Sequence, residues 1–180
     1  MHIGTNAIPY LVQWIQYEPA VPKFGLLLAQ GLHYIPGSPR ISNLTQPVTR
    51  PDEIARAQGA TKTFRLLGNA ASSAIPKLAA LVDGSKSGDV TDRATQALAG
   101  IGPVALPTLT ERFNKKTDTV SRLYIVFAIE TLGTNAVPIL RKWSADTDPI
   151  ISSTANDILH RIQSGDTNAK IAANRQSRLH

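Results

Sequence analysis

The 180-residue chain has no cysteine. That excludes disulfides, thiolate metal ligands and a cysteine nucleophile, though it fixes no compartment. Aromatics are 6% and charged residues 18% of the chain. Both are low, so small side chains, mainly Ala, must fill much of the core. That suits close-packed helices better than a sheet rich in Val, Ile and aromatics. No stretch approaches the roughly 18 apolar residues of a membrane span. The longest apolar run, around Phe24 to Leu32, is broken by Gly25, Gln30 and Gly31. Met1-His2-Ile3-Gly4 has no basic start followed by an apolar core, which predicts no signal peptide; the location is left unknown, with cytoplasmic as the default.

Catalytic signatures are also missing. No Gly-rich phosphate loop is present, and Gly100-Ile101-Gly102 reads as a helix end. Of the four histidines His2, His33, His160 and His180, only His160 has a carboxylate at ligand spacing, Asp157. A surface hydrogen bond is the simpler reading of that pair. Ser72 and Ser73 lie in an Ala-rich turn without a base. The expectation is a chain with no enzymatic activity, no cofactor and no metal. The net charge of +6 is dispersed: residues 36–66 and 105–145 carry +3 each. A dedicated nucleic-acid binder shows a denser basic stripe.

What is present is a repeat. Four segments join a Gly to an Ala-aliphatic-Pro triplet: Gly4 to Ala7-Ile8-Pro9, Gly68 to Ala74-Ile75-Pro76, Gly102 to Ala105-Leu106-Pro107, and Gly133 to Ala136-Val137-Pro138. Pro76, Pro107 and Pro138 stand 31 residues apart. Glycine takes the left-handed conformation cheaply and so stops a helix. Proline fits the first turn of the next, where its missing N–H costs nothing. After each Pro the apolar spacing is helical: Ile75, Leu78, Ala79, Val82; then Leu106, Leu109, Phe113; then Val137, Leu140, Trp143. Trp143 reads as core. A second helix follows in each unit, with stripes Ala94-Ala97-Leu98-Ile101, Ile125-Ala128-Ile129-Leu132 and Ala155-Ile158-Leu159-Ile162. Polar turns join the two, and their aspartates are suited to cap the second helix. One hairpin cannot bury both faces, so neighbours must stack.

From Ala74 to about Ile162 the chain resembles HEAT repeats, in particular the short kind found in phycobilisome-lyase-type proteins. The second helix there reads Asp-Pro-x-Val-Arg-x-x-Ala-x-x-Ala-Leu. Asp148-Pro149-Ile150-Ile151-Ser152 follows it with Ser152 at the Arg place; Ser121-Arg122 keeps the Arg, and Thr91 replaces it. The resemblance implies an all-α fold, an α-solenoid: a right-handed superhelix of about four to five HEAT-like hairpins. Residues 1–163 form one repeat domain, with a Pro-rich insertion at 36–52, and 164–180 form a polar C-terminal tail. The di-iron hydroxylases built on such repeats use His-Glu pairs, which are missing here. The glycosylases use a strongly basic face. A tetrapyrrole-handling role ranks last without Cys.

The first third is irregular. Helices are expected at 6–16, at about Pro22 to Leu32 and from Asp52 to Leu67, with Ala57, Ala60, Phe64 and Leu67 inward. Ile3-Gly4 reads as the tail of a preceding helix. Together with Tyr10, Trp14 and Tyr17 on the first helix, that predicts a missing upstream repeat or a dimer contact.

By resemblance, the second helices line the concave side. The residues expected there are Arg93, Gln96, Arg122, Glu130, Asp157 and Arg161. This mixed-charge surface suits a protein or peptide partner, so the first expectation is a non-catalytic interaction scaffold without membrane contact. The alternative is a basic solenoid binding nucleic acid or another polyanion through Arg40, Arg50, Lys62, Arg65, Lys115, Lys116, Arg141 and Lys142.

Overall fold

Each of the four prolines sits at the second residue of an α-helix, and the aliphatic residue before it begins that helix. The structure, a computed structural model, describes residues 4–18 and 51–165. The expected helix at 22–32, most of the insertion and the tail beyond residue 165 lie outside the described residues.

Among those residues the fold is all-α, without strands. The first helices of successive units are α1 (Ile8–Ile15), α3 (Ile75–Gly84), α5 (Leu106–Lys115) and α7 (Val137–Trp143). The second helices are α2 (Pro51–Leu67), α4 (Gly88–Ile101), α6 (Thr119–Ile129) and α8 (Pro149–Gln163). Helix α2 starts at Pro51, so the last two positions of the expected insertion belong to it. Proline at a helix start keeps its fixed φ without losing a hydrogen bond.

Helix α3 packs on α4, α5 on α6, and α7 on α8. Helix α2 packs beside α4, α4 beside α6 and α6 beside α8, while α1 lies against α2. The stripes read from the sequence form one continuous core. Leu11, Leu78, Leu109 and Leu140 hold the same place in four units and are all buried. So are Ala94, Ile125 and Ala155 in the second helices, and Trp143 joins them. Ile75, Leu106, Val137, Leu67 and Ile162 are half-buried against it.

The glycine turns hold in three of four cases. Gly68 (φ 52°), Gly102 (φ 109°) and Gly133 (φ 57°) have the positive φ that favours glycine. Gly4 does not: it is extended, with φ −82° and ψ 173°. The aspartate caps hold in two of three turns. Asp118 accepts from the Ser121 N–H at 2.7 Å and Asp148 from the Ile150 N–H at 2.9 Å. At α4 the cap is Ser87, through a long 3.5 Å bond to the Val90 N–H.

One apolar stretch corrects the reading that none approaches a membrane span. Thr119–Trp143 covers 25 residues and reaches a mean hydropathy of 1.6, enough by length and composition alone. The backbone breaks at Gly133 (φ 57°, ψ −131°), so two helices occupy this stretch rather than one. Its Ile125, Val126, Ala128, Ile129, Leu140 and Trp143 are core residues.

These turns give a stability prediction. Gly133→Ala and Gly102→Ala should each cost about 1–3 kcal/mol, because a Cβ strains either conformation. Gly59 lies inside α2 with nothing within 4 Å of a built Cβ. Gly59→Ala should instead add about 0.5–1 kcal/mol through helix propensity. Urea unfolding followed by circular dichroism reads both signs, and equal effects at the three sites would contradict the turn geometry.

Candidate partner-binding face

The outward face of α4, α6 and α8 is where the sequence placed its candidate residues. The resemblance named the face and helix spacing the positions on it; the packing decides which of them are available.

Arg93 on α4 turns toward the end of α1. Its Nε donates to the Ile15 carbonyl at 3.1 Å and its Nη2 to the Tyr17 carbonyl. A guanidinium at a helix C-terminus satisfies carbonyls that lack intrahelical donors and meets the negative end of the dipole. Arg93 is therefore a clamp within the chain.

Arg122 on α6 pairs with Asp146, in the turn that leads into α8. Both side chains are only 16% exposed. The Arg122 guanidinium also lies over the Phe113 ring, 4.2 Å from its centroid, and Phe113 stacks on Trp143 at 3.9 Å. An arginine can stack and form an ion pair at once because its charge is planar and delocalised. At the place where the repeat pattern has Arg, Ser152 donates instead to the Ser144 carbonyl at 2.7 Å.

Glu130 and Arg161 bind each other in a fork, at 2.8 and 3.2 Å. This ties the residue just after α6 to the C-terminal part of α8. At the other end Thr119 Oγ1 donates to Asp148 Oδ2 at 2.5 Å. The two helices are thus pinned side by side at both ends.

Of the six expected face residues, Arg93, Arg122, Glu130 and Arg161 are held in these contacts. Gln96 and Asp157 are exposed. Gln96 donates to Asp92 on its own helix at 2.8 Å. Between α2 and α4 lies an open groove of about 390 Å³, whose walls include Ile54, Gln58, Lys62, Asp89, Asp92 and Gln96.

The most accessible apolar residues of this face were missing from the sequence reading. Val120 is 60%, Phe127 52% and Ile150 55% exposed. Val120 and Phe127 are seven residues apart on α6, hence on one side of it. Ile150 follows Pro149 and Asp148, and Val120 follows Thr119, so the Thr119–Asp148 bond brings their chain positions together. The repeat held the signal: Phe127 lies 31 residues after Gln96 and 30 before Asp157, at the same register. Tyr10 and Trp14 are exposed on α1 as well.

No family model, curated protein or solved structure matches the chain. The chemistry of the face has to carry the functional reading. Among the described residues, no three His, Cys, Asp or Glu side chains gather as a metal site would need. Of the cations expected for polyanions, Lys62 borders the α2–α4 groove, Lys115 pairs with Glu111 at 2.7 Å, and Lys116 and Lys142 line one groove beside the Arg122–Asp146 pair. Arg40 and Arg50 lie outside the described residues.

Three aspartates in the turns before α6 and α8 have pKa values below the usual aspartate range. At Asp118 the cause is the Ser121 backbone N–H. At Asp148 it is first the Thr119 hydroxyl. At Asp146 burial opposes ionisation, but Arg122 and the Asp148 N–H outweigh it. A depressed folded-state pKa stabilises the fold above the unfolded value, near 3.8 for Asp. That contribution disappears as pH falls through the folded-state values. Stability should therefore hold from neutral pH to about 5 and decline below about 4. Asp146→Asn should lower stability at pH 7 and flatten that acid limb. Urea midpoints at pH 7 and pH 3 for both proteins check this; an unchanged slope would contradict the Arg122 pairing.

Proposed function

We propose that the chain is a short right-handed α-solenoid of HEAT-like hairpins, a non-catalytic scaffold that holds a protein or peptide on its second-helix face. The 31-residue period, the shared Gly-to-Pro turn and the chain-order packing of second helices support the solenoid reading. One observation carries the function. Val120, Phe127 and Ile150 stand exposed together on α6 and α8, while the stripes of the same helices are buried. An apolar centre inside a polar margin is the usual anatomy of a recognition surface.

At the second-helix face itself the charges favour a protein partner over a polyanion. Arg93, Arg122 and Arg161 are engaged with carbonyls or carboxylates of the chain itself. A phosphate backbone needs several cations free to replace its counterions.

The test compares the wild type with Phe127→Ala/Ile150→Ala. Both residues are more than half exposed, so the fold should survive, with a thermal midpoint within a few degrees as surface changes usually give. A photo-crosslinker placed at position 123 should capture a protein in cells with the wild type, and about tenfold less with the double variant. On immobilised DNA both proteins should elute below physiological salt. Retention beyond physiological ionic strength, unaffected by the double variant, would favour the polyanion reading.

A further inference from the structure

We infer that the partner of this face is a basic amphipathic peptide segment, with apolar anchors for Val120, Phe127 and Ile150 and lysines or arginines beside them. This rests on the scaffold reading above and adds the chemistry of what is held.

The inference comes from what surrounds the apolar strip. Asp89 holds on α4 the register that Val120 holds on α6, 31 residues on. Asp157 holds on α8 the register that Phe127 holds on α6, 30 residues on. Both aspartates are exposed. With α6 between α4 and α8, one carboxylate flanks the strip on each side, near opposite ends. Asp92, half-buried on α4, adds a third negative charge one turn from Asp89.

The cations of the same face do not balance these groups. Arg161 is held by both oxygens of Glu130. Arg93 is held by the carbonyls of Ile15 and Tyr17. Lys62 lies beyond Asp89 and Asp92, on the α2 side of the groove. Among Lys62, Arg93, Arg122, Arg161, Asp89, Asp92, Glu130, Asp146 and Asp157, with the Arg122–Asp146 pair included, the carboxylates are in excess by one, on a chain whose overall charge is +6. The strip is thus locally acidic on a basic protein. Complementary charge at the margin raises the encounter rate and rejects partners of the wrong sign, while the apolar centre supplies affinity. A polyanion would meet carboxylates here, and an acidic peptide would meet like charge.

The experiment selects peptides from a displayed library of random 12-residue sequences on the intact chain. Enriched peptides should combine one or two large apolar residues with a net charge of +2 or more, on the order of the carboxylates they face. Their affinity should fall at least tenfold for Phe127→Ala and at least tenfold for Asp89→Lys/Asp157→Lys. It should fall several-fold between 50 and 500 mM salt, as exposed charge contacts are screened. Circular dichroism melts of each variant show that the fold is kept. Enrichment of neutral or acidic peptides that still depend on Phe127 would overturn this inference and leave the scaffold reading standing. Basic peptides indifferent to both sets of variants, or no Phe127-dependent enrichment at all, would overturn both.

Discussion

The second helices α2, α4, α6 and α8 have to lie side by side at close range, and the rest of the described structure follows from that demand. Between α2 and α4 the approach is to main chain. A Cβ built on Gly100 would come 3.1 Å from the backbone nitrogen of Arg65, a contact with main chain that has little room to yield. Between α4 and α6 the Tyr124 hydroxyl would come within 2.9 Å of a Cβ on Gly88. Ala94, Ala97 and Ala128 line the same seams, all buried. Small side chains keep the helices near enough for Leu98, Ile125, Ile129 and Ile158 to be fully buried. The glycine turns then become necessary. Each second helix must end abruptly, so that the next unit starts over its neighbour and not beyond it.

Packing of this kind sets the distance between units but allows sliding along the helix axes, because aliphatic stripes repeat every turn. Polar contacts remove that freedom. Arg122 with Asp146, Thr119 with Asp148 and Glu130 with Arg161 all run from one unit to the next. Each has directional requirements that a shift by one turn would break. Arg93 does the same between α4 and the end of α1. The side chains that look available for a partner when α4, α6 and α8 are drawn separately are thus the ones that fix the units in register. The apolar strip of Val120, Phe127 and Ile150 has no such role and stays open.

This explains which parts of the molecule could be read from sequence. Helix-forming stripes, glycine stops and proline starts are local, obey a fixed period and recur, so the helices, their order and nearly all of the core were legible. Cap identity was legible where Asp precedes a helix, at Asp118 and Asp148, and missed where Ser87 does the work. The face was not legible, because the partners of Arg93, Arg122 and Arg161 lie 76, 24 and 31 residues away. Nothing in the spacing along one helix tells a charged residue that binds its neighbour from one that faces water. Phe127 was hidden for a related reason. Helix α6 is apolar on most sides, so an exposed phenylalanine beside buried Val126 and Ala128 reads as more core. Only its alignment with Gln96 and Asp157, two polar residues at the same register, marks it as outward.

The same pairing changes what the basic isoelectric point means. A net charge of +6 counts every arginine as though it faced a solute. An arginine paired with a carboxylate, such as Arg122 or Arg161, has its field offset at close range, whereas Arg93, held by neutral carbonyls, keeps its charge but has two of its donors engaged. The contacts that hold the units together therefore also decide the local sign of the second-helix face. A solute approaching α6 meets exposed hydrocarbon with Asp89 to one side and Asp157 to the other, and the excess positive charge lies elsewhere on the chain. Overall charge governs how the protein behaves at a distance. Close to this face the field is set by the few groups that the internal pairing leaves unmatched.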